Sequence, residues 1–280
     1  MADIAQSTEG VHELIAQLLD RNTNVPLGGF TIHSFDLDAQ DTPKSLGYTT
    51  TDPRKELSLM PVTAPSTSKT PAKKPSEPRL HRYTSLPVAL DVLYNKRLTL
   101  LSPETWEDRN DAYFLERYRA KLKLQSVVAI CFSMRRETFH HWRVFSPGSS
   151  GVCLEFDKDK LLQSIPTKKG YRHGKVTYHW TARLQKNKPQ PESWPFLKRK
   201  AFEDEGEYRI TFESKTKRFR AHLMPIDLGS IKRVILSPFC SAAVAKSVVS
   251  IIESIDGCDQ LEDVRRSSLI DNAAWRALID

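Results

Sequence analysis

The chain has 280 residues, with 42 Lys plus Arg against 34 Asp plus Glu, 39% hydrophobic residues, 17 Pro, 11 Gly and 4 Cys. That length accommodates one or two domains and a sizeable core. No run approaches the roughly 18 apolar residues of a membrane span, and His12, Glu13 and Asp20 interrupt the place where a secretory signal would need apolar residues. Cys131, Cys153, Cys240 and Cys258 are too scattered for a zinc site or a disulfide framework, so the reading is a cytoplasmic protein with no metal and no membrane partner.

The net charge of +8 is unevenly placed: residues 1–78 carry 7 basic and 10 acidic side chains, whereas residues 160–233 hold 18 Lys or Arg against 7 Asp or Glu. A positive face of this kind draws phosphate-bearing partners such as nucleic acid or a dinucleotide, and a solvated lysine-rich surface accounts for the same composition.

In chain order, Val11, Leu14, Ile15, Leu18 and Leu19 fall on one face of a short amphipathic helix over 1–21, after the capping candidates Ser7 and Thr8. Such a helix docks on a partner or packs back on the body. Residues 22–78 interleave Pro53, Pro61, Pro65, Pro71, Pro75 and Pro78 with Ser, Thr and Lys, which predicts a disordered linker, because little apolar surface is there to offset chain entropy.

The body, 79–280, alternates short periodicities and is expected to be an α+β domain with one mixed, mainly antiparallel sheet and flanking helices. Ser85 as N-cap, Pro87 in the first turn and Leu86, Ala89, Leu90, Leu93 and Tyr94 at helical spacing predict its first helix. Strands are expected over 98–101, 127–133, 152–156, 175–178, 207–212 and 231–236, followed by a largely buried helix over 242–252.

Three constellations can carry chemistry. Leu80-His81-Arg82-Tyr83-Thr84-Ser85 ends a strand just before a helix N-terminus, a place that suits an anion or nucleotide, or merely a capped strand end. Phe139-His140-His141-Trp142-Arg143 offers an indole that can stack on a base, or a core Trp. In Glu203-Asp204-Glu205-Gly206-Glu207-Tyr208-Arg209, a strand would project Glu205, Glu207 and Arg209 to one face, as two carboxylates able to raise each other's pKa or as a solvent-facing salt-bridge ladder.

These motifs, with Leu98–Pro103, Trp106-Glu107-Asp108, Ile130–Ser133, Gly151–Asp157 and Ile231–Leu236, resemble in order and spacing the bacterial domain of unknown function 2971 family over about residues 79–253. Arg143, Val144 and Phe145 depart from the Ser, His and Tyr that usually follow the Trp in that family. The resemblance implies a fold neighbourhood and no reaction.

A looser similarity runs to ADP-ribosyltransferases, with their early basic or His-containing strand, central aromatic motif and late Glu-x-Glu. It implies NAD as substrate, Glu207 as the catalytic carboxylate with Glu205 assisting the acceptor, and His81, Arg82, Tyr83, Thr84, Trp142 and Arg209 as NAD-binding residues, in a toxin or defence effector acting on a nucleic-acid or protein acceptor. The alternative is a non-catalytic module that binds nucleic acid through the basic stretch.

Overall fold

The computed structural model describes residues 78–167 and 169–279. The expected helix over 1–21 and the linker, but for Pro78, lie outside the described residues. Ser85 ends the first strand, β1 (Arg79–Ser85), and stands as the extended N-cap of α1 (Leu86–Asn95), which carries Pro87 in its first turn. A proline costs nothing there, because the first amides of a helix have no internal partner.

The chain continues through β2 (Arg97–Leu101), α2 (Arg109–Lys121), β3 (Ser126–Ser133), α3 (Phe139–Phe145), β4 (Gly151–Asp157), α4 (Lys158–Gln163), β5 (Tyr171–Lys175) and β6 (Thr177–His179). After α5 (Thr181–Lys186) come β7 (Leu197–Arg199), β8 (Glu207–Ser214), β9 (Ala221–Pro225), β10 (Ile231–Leu236), α6 (Ala242–Glu253), β11 (Asp263–Arg266) and α7 (Ala273–Arg276).

Nine strands form one mixed, mainly antiparallel sheet, in which β10 and β11 run parallel; β6 and β7 make a separate parallel pair. Strand β3 is the branch point. It pairs along its length with β8, touches β1 at His81↔Ser133 and touches β2 at Leu101↔Ala129. One arm then runs β1–β4–β10–β11 and the other β2–β9.

Alternation along the strands divides the sheet into two chemically different faces. Leu80, Val128, Ile130, Phe132, Leu154, Phe156, Ile210, Val234 and Leu236 face the main core, where Leu90 and Leu93 of α1 and Val248 and Ile252 of α6 cover them. Each such side chain removed from water contributes about 1.5–3 kcal/mol, so Leu93→Ala costs about 2–5 kcal/mol. The helix over 242–253 is one-sided, not largely buried as its composition suggested: Ala245, Val248 and Ile252 are buried, while Val244 is exposed.

The opposite face carries His81, Glu155, Cys131, Ser133, Glu207, Arg209 and Thr211 in register. Helix α2 covers one end of it by packing Leu115 and Tyr118 on Val127 and Ala129. Helix α3 covers the other, with Trp142 against Tyr83, Cys153 and Ile235. A polar strip remains between these two apolar plugs.

Candidate functional site

Register alone assembles the first part of the strip. Glu155, His81, Ser133 and Glu207 are cross-strand partners on β4, β1, β3 and β8 and share one face. His81 Nε2 lies 3.4 Å from Glu155 Oε2, and its Nδ1 lies 3.3 Å from the Ser133 carbonyl oxygen. The hydrogen bond from His81 holds the Glu155 carboxyl below its ordinary value. The Ser133 hydroxyl donates to the Glu205 carbonyl at 2.7 Å, which ties the row to the segment leading into β8.

That segment differs from the expected strand. Lys200–Glu205 is a tight helical turn, Gly206 takes φ +53°, and β8 begins at Glu207. The left-handed glycine reverses the chain, and Lys198 on β7 then joins the two carboxylates: its Nζ donates to Glu205 Oε2 at 2.6 Å and to Glu207 Oε2 at 3.3 Å, with Asp111 Oδ2 3.8 Å away.

Arg209 completes the network. Its Nε donates to Glu207 Oε1 at 2.7 Å, its two terminal nitrogens grip Asp111 Oδ1 and Oδ2 at 3.0 and 2.6 Å, and Nη1 also donates to the Pro195 carbonyl at 2.8 Å. Trp106 offers its ring face 5.0 Å from the guanidinium. Arg209 is 0% exposed and Glu207 4%. This overturns a solvent-facing ladder: the turns over 191–205 and β7 cover the strand's polar face.

Charge decides the ionisation. Burial alone would raise the Glu207 carboxyl, but Arg209 and Lys198 outweigh it and hold the group at about 2. Burial would likewise lower Lys198, but Glu207 and Glu205 outweigh it and push the ammonium up. For Glu205 burial wins over Lys198, and its carboxyl is raised. Two neighbouring carboxylates therefore differ in basicity.

The remaining residues singled out in the sequence scatter. Arg82 lies where β1 and β3 part: its Nη1 donates to the Cys131 carbonyl at 3.0 Å, and the charges of Cys131 and Glu207 offset part of the fall that burial causes in its guanidinium. Thr84 is buried and its carbonyl accepts from the Ser146 hydroxyl at 2.6 Å. Tyr83 stands edge-on to Trp142, with centroids 5.1 Å apart. The Trp142 indole is 0% exposed and donates Nε1–H to Glu137 Oε1 at 2.7 Å. It is a packed core ring with no open face for a base, the other reading of that motif.

Asp111, Lys198, Ser133 and Glu155 belong to the network and escaped sequence reasoning as functional residues. Asp111 had one signal, the motif Trp106-Glu107-Asp108 just before it; Asp108 caps α2 by accepting from the amides of Asn110 and Asp111 and so fixes where Asp111 points. Lys198 had none.

A cavity of about 520 Å³ opens against α2, α5 and β7. Phe114, Leu184, Pro189 and Leu197 form its apolar walls, and Asp108, Asp111 and Lys198 are among its polar lining. It therefore meets the network at Asp111 and Lys198.

No curated protein matches the chain. Solved structures similar to it include DarT from Thermus sp. 2.9 in complex with carba-NAD+, at 9% identity and a TM-score of 0.38, covering 70% of this chain and 99% of that one. The same protein in complex with ADP-ribosylated ssDNA gives 10% identity and 0.38, over 70% and 97%. In complex with NAD+ it gives 8% and 0.36, over 70% and 98%. Residues 141–210, which include Trp142, Lys198, Glu205, Glu207 and Arg209, match the family described as "Protein of unknown function (DUF2971)", and this bears out over that stretch the resemblance drawn from the motifs.

Proposed function

We propose that the chain transfers ADP-ribose from NAD+ to a macromolecular acceptor, with Glu207 as the catalytic carboxylate. The observation that carries this reading is the cage of Asp111, Glu205 and Glu207 around a single ammonium, that of Lys198, at the edge of a cavity. Such a cage suits positive charge.

When the bond between the ribose C1′ and nicotinamide breaks, nicotinamide leaves with the electron pair and the ribose becomes oxocarbenium-like. A carboxylate held ionised beside that carbon stabilises the developing cation, and it costs no reorganisation because Arg209 already fixes its orientation. The acceptor's nucleophile then bonds to C1′ and gives up its proton. Glu205, with its raised carboxyl, is the more basic neighbour and takes that proton. His81, oriented by Glu155 and the Ser133 carbonyl, stands on the same row as Glu207.

The test is nicotinamide release from NAD+ by the wild type and by Glu207→Gln, with a thermal melt of each. Retained release in the mutant removes Glu207 from the chemistry.

The complete enclosure of Arg209 favours a second reading, in which the network only braces the sheet and exposed basic residues of 160–233 bind nucleic-acid phosphates without catalysis. Salt-dependent nucleic-acid binding with no release of nicotinamide would establish it over the first.

A further inference from the structure

The cavity against α2 is polarised in a way that goes beyond the placement of Glu207. Its floor is acidic: Asp111, buried and paired with Arg209, adjoins Glu205 and Glu207 around Lys198, three carboxylates against two cations, and Asp108 is half-buried where it caps the helix. Its rim is basic, since Lys188 and Arg199 line it and are exposed. Phe114 and Leu184 supply apolar walls. Lys198 lines the same cavity, 10% of its side chain exposed, and its Nζ pairs with Glu205 and Glu207, which do not line it.

An acidic floor and a basic rim recognise opposite charges at the two ends of one ligand. The floor already holds a cation, the ammonium of Lys198. The rim cations have no partner within the described residues and are free to meet a phosphate. A cavity of about 520 Å³ with apolar walls has room for a mononucleotide and suits its planar ring.

We propose that this cavity binds a mononucleotide with a cationic ring, ring inward and phosphate at Lys188 and Arg199, and that Lys198 is a built-in competitor whose ammonium must leave the carboxylate cage for the ring to enter. The inference rests on the ADP-ribosyl transfer reading and adds to it the location of the ring and the residue that gates it. Lys198 is thus a positioning residue: it keeps Glu205 and Glu207 paired and shut off until a ligand cation replaces it.

Nicotinamide mononucleotide is the probe, because its reduced form has the same sugar and phosphate but a neutral ring. Binding of both forms is measured by calorimetry to the full chain, to Lys198→Met and to Lys198→Arg. Removing the competing ammonium is expected to tighten the oxidised form by roughly tenfold or more, to leave the reduced form within about threefold, and to give no gain in Lys198→Arg, which keeps the charge. Leu184→Trp, which fills the cavity, is expected to abolish binding.

Equal affinity of the oxidised form for wild type and Lys198→Met, a matching gain for the reduced form, or binding that survives Leu184→Trp would each overturn the proposal, as would no binding to any variant. Should Lys198→Met lose its cooperative melt, Lys198→Gln replaces it, because its amide can still donate to Glu205. Binding that follows this pattern without nicotinamide release from NAD+ would sink the transferase reading alone; release that depends on Glu207 with binding indifferent to Lys198 and Leu184 would sink this one alone.

Discussion

The Arg209 guanidinium grips both carboxylate oxygens of Asp111, at 3.0 and 2.6 Å, across 98 residues of sequence. This bidentate pair fixes α2 to β8 on the polar face of the sheet. It also leaves the third donor direction of Arg209, Nε, for Glu207, so the scaffold pair and the candidate catalytic pair share one guanidinium.

Breaking the pair is therefore expected to be expensive. Asp111→Asn leaves Arg209 buried without its fork partner and should cost about 3–5 kcal/mol in urea or thermal unfolding. Arg209→Lys should cost nearly as much, because an ammonium has no planar fork to serve Asp111, Glu207 and the Pro195 carbonyl together.

Acid should act through Glu207. Its carboxyl is held at about 2 against an ordinary 4.5, so it adds stability that is fully present above 4.5 and is lost as pH falls from there towards 2. At about 1.36 kcal/mol per unit the contribution is on the order of 3 kcal/mol. Melts of wild type and Glu207→Gln should differ by a constant amount near neutral pH and converge below 4.5, whereas a gap unchanged down to pH 3 would mean that the carboxylate is not the group titrating.

Trp142 should behave as a structural residue. Trp142→Phe leaves the buried indole site without its Nε1 donor to the half-buried Glu137 carboxylate and is expected to cost about 1–3 kcal/mol. If the indole only packs, KM for NAD+ should stay within about twofold; a large rise in KM with an unchanged melt would mean that the ring meets the ligand.

The sequence made some of this legible and hid the rest for identifiable reasons. Ser85 with Pro87 marked the start of α1, and apolar runs marked β3, β4, β8 and β10, because local chemistry fixes those elements. The run over 175–178 predicts one strand, but Val176 separates β5 from β6, and their partners are β8 and β7 respectively. Strand β9, Ala221–Pro225, pairs with β2 through an exposed, mixed segment that has no clean alternation to read.

At the site, Glu205, Glu207 and Arg209 stood out by spacing. Their burial did not, because it comes from β7 and the turns over 191–205, which approach only in the folded chain. Lys198 and Asp111 join the network from 9 and 96 residues away from Glu207, so no local pattern points to them. His81 and Glu207 were each singled out, but only the register through Ser133 puts them on one row.

The most direct test is the rate of nicotinamide release from NAD+ by wild type and Glu207→Gln, measured below the melting temperature of the less stable protein and with a cooperative melt recorded for both. The substitution keeps the shape and removes the charge that meets the developing cation, so release should fall by about a hundredfold or more while the fold survives. A mutant that releases nicotinamide at the wild-type rate, or a wild type that releases none with any nucleic-acid or protein acceptor, would contradict the assignment of Glu207 as the catalytic carboxylate.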